Sequence, residues 1–182
     1  MRLLANLVGL FLLTAAFCCE STVARGQEST AEIRAQDYYP GYHLLRMSER
    51  DPDTRAFLLK HFKGSDPSII RADFDGNGQP DYAMLLKSDA SAAAKLVVLL
   101  CDAPGRCRRV YESDITGYSD EAYLSGLPIG SRVAVAGSAE GEQPPPVKLA
   151  TVGIQVTYFE KGAGALYWDK KLKKIVEVGT GE

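Results

Sequence analysis

Beyond residue 64 the apolar residues of this chain arrive in short runs, each closed by a cluster of Gly, Pro or Asp. Ile69-Ile70, YAMLL at 82–86, LVVLL at 96–100 and Val110-Tyr111 are strand-length pieces, rich in residues that suit a pleated surface. The C-terminal segment alternates more cleanly: GIQVTYFE, a Gly162-Ala163-Gly164 turn, then ALYWD and KKIVEV. That pattern predicts a terminal meander of two or three antiparallel strands. Residues 113–131 read as loop-rich, and 132–136 as an edge strand. SAEGEQPPP at 138–146 cannot continue a central strand, because consecutive prolines lack ladder donors, so it reads as an exposed Pro-rich loop.

One helix is expected, at residues 48–63. Asp51 can cap its start, Pro52 suits the first turn, and Phe57, Leu58 and Phe62 return at helical spacing. Lys60 and Lys63 complement the negative end of the helix dipole, and Gly64 ends the helix. The fold class that follows is α+β: a β-rich, mainly antiparallel twisted sheet with one helix packed on it, in a single domain over 38–182. Ahead of the helix, DYYPGYHLL can either present tyrosines for recognition or cover one edge of the core.

The N-terminus reads as an export signal over 1–24. Arg2 precedes the apolar run LLANLVGLFLLTAAFCC, and Thr22-Val23-Ala24 puts small residues where signal peptidase cuts. Cleavage after Ala24 or Gly26 leaves a polar, flexible leader at 25–37 and no membrane span. The alternatives are an uncleaved anchor and a lipid anchor on Cys18, the latter set back by Phe17 where Gly or Ala is usual. The expected location is periplasmic or secreted. With 21 Lys and Arg against 23 Asp and Glu, no basic excess exists to neutralise phosphates, which excludes nucleic acid as a partner. In an exported protein Cys101 and Cys107, framing a turn between two strand-like runs, read as a local disulfide; two free thiols is the alternative. Zinc is excluded, since it needs four ligands and neither His43 nor His61 is spaced to join the cysteines.

DFDGNGQPDY at 73–82 carries the chemistry. Asp-Gly and Asn-Gly are strong hairpin signals, so the stretch can be a turn with no metal. That leaves the flanking acids unexplained: Asp73, Asp75 and Asp81 repel one another if they converge without a cation. Asp73, Asp75, Asn77, the Gln79 carbonyl and Asp81 fall at alternate positions on a glycine-bent backbone, which is what a hard cation such as Ca2+ requires. It is not an EF-hand, because Met84 stands where the bidentate Glu belongs and a strand follows. The stretch resembles the calcium loops of FG-GAP/VCBS-type repeats, and the chain looks like a single-copy version found in small exported bacterial proteins. The resemblance implies a structural Ca2+ held by those five residues. A propeller is not implied, since the chain carries one such loop.

Three function classes remain open on this reading. The first is an exported, non-catalytic protein with a structural calcium loop, presenting a surface to a protein or glycan. The second is a metal-independent sugar- or peptide-binding module using Tyr38, Tyr39, Tyr42, Tyr118 and Tyr123. The third is a hydrolase using Asp114, Asp120 or Glu121 as paired carboxylates, though no motif sets their separation. Trp168 reads as core.

Overall fold

The structure, a computed structural model, describes residues 35–134 and 145–180. In chain order the elements are β1 (Tyr42–Leu44), a 3-10 turn (Met47–Glu49), α1 (Pro52–His61), β2 (Ile69–Ala72), β3 (Asp81–Ser88), β4 (Ala94–Ala103) and β5 (Arg106–Asp114). A second 3-10 turn (Thr116–Tyr118) leads to β6 (Ala122–Leu127), β7 (Arg132–Val133), β8 (Val147–Lys148), β9 (Gly153–Tyr158), β10 (Gly162–Asp169) and β11 (Lys174–Thr180). Every pairing is antiparallel. The chain is therefore a β-rich α+β protein, with its strands divided between two main sheets.

The first sheet runs β1-β3-β4-β5, with β2 sharing the edge of β3 that β1 occupies further along. The second runs β11-β10-β9-β6, and β7 and β8 form a separate ribbon. Ala83 and Leu85 of β3 and Leu96, Val98 and Leu100 of β4 meet Ala122, Leu124, Ile154, Val156 and Leu166 of the second sheet in one core. Tyr82, Met84, Leu86, Val97 and Leu99 point the other way and pack with Ala35 and Tyr39. Both faces of β3 and β4 are covered, which is why YAMLL and LVVLL are continuous apolar runs without alternation.

Several expectations change. Gly162-Ala163-Gly164, read as a turn, opens β10 instead, Gly162 pairing with Tyr158, Ala163 with Thr157 and Gly164 with Val156. The stretch read as loop-rich contains β6: Ala122 and Leu124 enter the core while Tyr123 and Ser125 do not, and Gly126 and Pro128 obscured that alternation. The helix starts at Pro52 and not at 48, because Arg50 is extended (φ −89°, ψ 154°) after the 3-10 turn. Asp51 does cap it, its Oδ1 accepting the N–H groups of Asp53 (2.9 Å) and Thr54 (3.1 Å). Thr54 and Leu58 are its buried residues, and Phe57 stacks on Tyr123 and Phe159 to fix α1 beside β6 and β9. Of the edge strand expected at 132–136, Arg132–Val133 is seen, paired with Val147–Lys148. The signal at 1–24, the leader up to 34 and most of the Pro-rich loop lie outside the described residues, and no described helix is long and apolar enough to cross a membrane. The last leader residues, 35–37, are not a flexible tail: residues 35–38 are helical and Ala35 is buried against the outer face of the first sheet.

Candidate metal centre

The acidic loop closes the β2–β3 hairpin, whose last register pair is Ala72 with Asp81. Phe74, 1% exposed, drops from the loop into the core between the sheets and anchors it. Gly76 and Gly78 sit at φ +81° and +83°, where a side chain is strained. A Cβ at Gly76 would also lie 3.2 Å from Thr151 Cγ2 and 3.5 Å from Lys170 Nζ, so the loop presses against the second sheet's turns.

Inside this frame the loop's own side chains tie down its amides. Asp73 Oδ1 accepts N–H bonds from Gly76 (2.7 Å) and Asn77 (3.0 Å), and its Oδ2 accepts one from Gly78 (2.8 Å). Asp75 Oδ1 accepts from Asn77 N (3.0 Å), and Asn77 Oδ1 accepts from Gln79 N (2.7 Å). The Asn77 amide also donates to the Cys101 carbonyl (3.1 Å). Asp81 is fully buried; its Oδ2 accepts from Phe74 N (2.7 Å) and its Oδ1 from Cys101 N (2.8 Å). Burial pushes the Asp81 carboxyl up to about 6, against the pull of those two amides and with the Asp75 charge adding to the rise.

One ligand oxygen from each of Asp73, Asp75 and Asp81 lies within 4.8 Å of the others. A carboxylate has about four lone-pair directions. The N–H bonds therefore leave capacity for a cation, and the three convergent charges supply an attraction for one. Asn77 is placed by its bonds to Gln79 and Cys101, while Gln79 borders an adjoining cleft of about 210 Å3 with Arg71, Tyr82 and Pro104. The three acids, Asp73, Asp75 and Asp81, are the group that can hold a metal ion.

The disulfide joins Cys101 and Cys107 directly across the β4–β5 register, so the loop hangs from the stapled strand. The five tyrosines do not share one surface. Tyr38, Tyr39 and Tyr42 pack on the outer face of the first sheet, Tyr118 meets Tyr158, and Tyr123 meets Phe57 and Phe62. Burial, helped by the Glu112 carboxylate that its hydroxyl bonds (2.7 Å), pushes Tyr39 up to about 12. Two of the three acids considered for hydrolysis are otherwise engaged. Asp114 is held below its usual range by the Thr116 side chain and amide, and Glu121 pairs with Lys161 at 2.6 Å. Trp168 packs half-buried against the core between the sheets.

Sequence reasoning missed two buried polar centres. His43 is 7% exposed, with Nδ1 2.6 Å from Asp89 and Nε2 3.1 Å from Glu49. Burial raises Glu49, but the Arg46 amide and His43 outweigh it and hold the carboxyl below its usual range. Arg50 donates to Ser68 Oγ (2.6 Å) and to the Ala122 carbonyl, joining the start of α1 to β6. Asp89 is 46 positions from His43, and Ala122 is 72 from Arg50, so no local spacing announces either pair. Compared with protein-family models, curated proteins and solved structures, the chain matches none.

Proposed function

We propose that the chain is an exported, non-catalytic protein of the single-loop FG-GAP/VCBS kind, in which residues 73–81 hold a structural Ca2+ and the stabilised sandwich presents a surface to a partner. The observation that carries this is the convergence of Asp73, Asp75 and Asp81 oxygens within 4.8 Å on a loop bent by two positive-φ glycines. Asn77 and the Gln79 carbonyl complete the oxygen set on this reading. The disulfide agrees with an oxidising compartment, and export adds a mature N-terminus between residues 22 and 27, checked by mass spectrometry of protein taken from its native compartment.

The decisive measurement is thermal unfolding in EDTA and in millimolar calcium. A ligand bound only by the folded state stabilises it by RT ln(1 + [L]/Kd), about 2.7 kcal/mol at a hundredfold excess over Kd. Calcium therefore raises the melting temperature, Asp75→Ala abolishes most of the rise, and magnesium does less because it gives up its water reluctantly. A second reading has its own support: every acid of the cluster already accepts loop or strand amides, so the motif can stand as a metal-free hairpin. An unchanged melting temperature selects that reading.

A further inference from the structure

We propose that the end of the sandwich bearing the acidic loop is a docking surface for anionic lipid bilayers, and that loading the loop with a cation strengthens the docking. Only the cation dependence rests on the calcium reading above.

Strand register brings the relevant turns together. Leu127 pairs with Gly153, Leu166 with Ile154, and Asp169 with Lys174, so the turns after β6 and β10 and the entry to β9 share one end of the second sheet. The acidic loop and the disulfide turn share one end of the first sheet. The approach of Gly76 to Thr151 and Lys170 shows that these two ends are the same end of the molecule.

Residues 170–174, KKLKK, are all exposed there, in a chain whose overall charge is −2. The turn is held by Asp169, whose Oδ1 accepts the N–H groups of Lys171 (2.8 Å) and Leu172 (3.0 Å), so Leu172 is displayed on a fixed support. Leu172 is 59% exposed, and Ile129, in the turn after β6, is 67% exposed with Lys148 close to its neighbour Gly130. Among the described residues none of the four tip lysines forms an ion pair; those found use Lys95, Lys161, Arg109 and His43. Aliphatic side chains rimmed by free ammonium groups match a bilayer surface, where lysines meet headgroup phosphates and the aliphatic chains enter the interface. A soluble acidic polymer has no use for the leucine and isoleucine.

The opposite end repels such a surface. It carries Asp89, Asp114 and Asp120 at strand ends, while its lysines Lys95 and Lys161 are taken up in ion pairs with Glu112 and Glu121. The charge asymmetry therefore orients the molecule. Lys170 lies against Gly76 of the acidic loop, so the loop's three carboxylates oppose the field of the lysines until a cation neutralises them.

The test is co-sedimentation with vesicles of phosphatidylcholine alone or mixed with phosphatidylglycerol, each in EDTA and in calcium. The expected result is sedimentation with the anionic vesicles only, increased by calcium. Lys171→Glu combined with Lys173→Glu lowers partitioning roughly tenfold or more, and Leu172→Ser lowers it several-fold. Equal partitioning onto neutral vesicles, indifference to the charge reversal, or retention on heparin without vesicle binding overturns the proposal. Charge-sensitive binding to anionic vesicles, with neither binding nor melting temperature responding to calcium, keeps the docking surface and removes its cation dependence along with the calcium reading. A calcium-raised melting temperature without vesicle binding does the reverse.

Discussion

Asp81 sets the character of the loop at the scale of single residues. Its carboxyl is held up to about 6, above the 3.8 of the unfolded chain, chiefly by burial. A raised carboxyl binds its proton more tightly when folded, so its stabilising contribution is full below pH 3.8 and is lost as pH rises through about 6. In EDTA, therefore, Asp81 makes the protein more stable at pH 5 than at pH 7, whereas on the proposed calcium reading the rise in melting temperature with calcium shrinks at pH 5 because protons compete with the ion. Melting curves of wild type and Asp81→Asn at both pH values isolate that part; the same pH response in both proteins rules Asp81 out as its source. Phe74 holds the loop from the apolar side, and Phe74→Ala lowers stability by about 3–5 kcal/mol in urea unfolding, the range for emptying a buried aromatic site.

The β4–β5 hairpin is the element that joins staple and site. Cys101 carries the disulfide in its side chain, donates its N–H to Asp81 and accepts from Asn77 at its carbonyl. The bridge closes a short loop, with a sequence separation of 6, so replacing both cysteines with serine lowers stability by only ~2 kcal/mol on the chain-entropy estimate. The more telling effect is on the site: loosening Cys101 weakens the bonds that aim Asp81, so the calcium-induced rise in melting temperature falls as well. Calorimetric titration of the double variant checks this, and calcium affinity equal to wild type shows the hairpin to be dispensable for the site. At the other end, Asp51→Ala removes two bonds to the α1 amides and lowers stability by about 1 kcal/mol, read from the urea midpoint.

The whole molecule unfolds as one body if the core between the sheets is what holds it together. Phe74 enters that core from the loop, Trp168 packs on it from β10, and the loop itself touches Thr151 and Lys170 of the second sheet. On the proposed calcium reading, an ion held at the first sheet therefore stabilises the second as well. Trp168, the only tryptophan, and far-ultraviolet circular dichroism report the same midpoint, and calcium shifts both equally. A tryptophan transition that calcium leaves in place shows two independently melting sheets.

Period and turn chemistry are local, and they were enough for much of this chain. The alternation of GIQVTYFE and ALYWD, the Asp51-Pro52 helix start, the paired cysteines and the acid spacing of DFDGNGQPD each follow from residues close in sequence, and each has its counterpart in the fold. Loop spacing alone was enough to mark Asp73, Asp75 and Asp81 as a group. It did not reveal that Asp81 lies fully buried beneath the Cys101 amide, because that bond crosses 20 positions between neighbouring strands. Nor did it divide the strands between two sheets. A strand that buries both faces looks the same in sequence whichever elements cover it, and β6 resembled a loop until Leu124 met Val156 across the ladder. Short-range preference sets where strands and turns fall; which face meets which, and so which turns gather at one end, is decided by contacts between distant residues that only the folded chain makes.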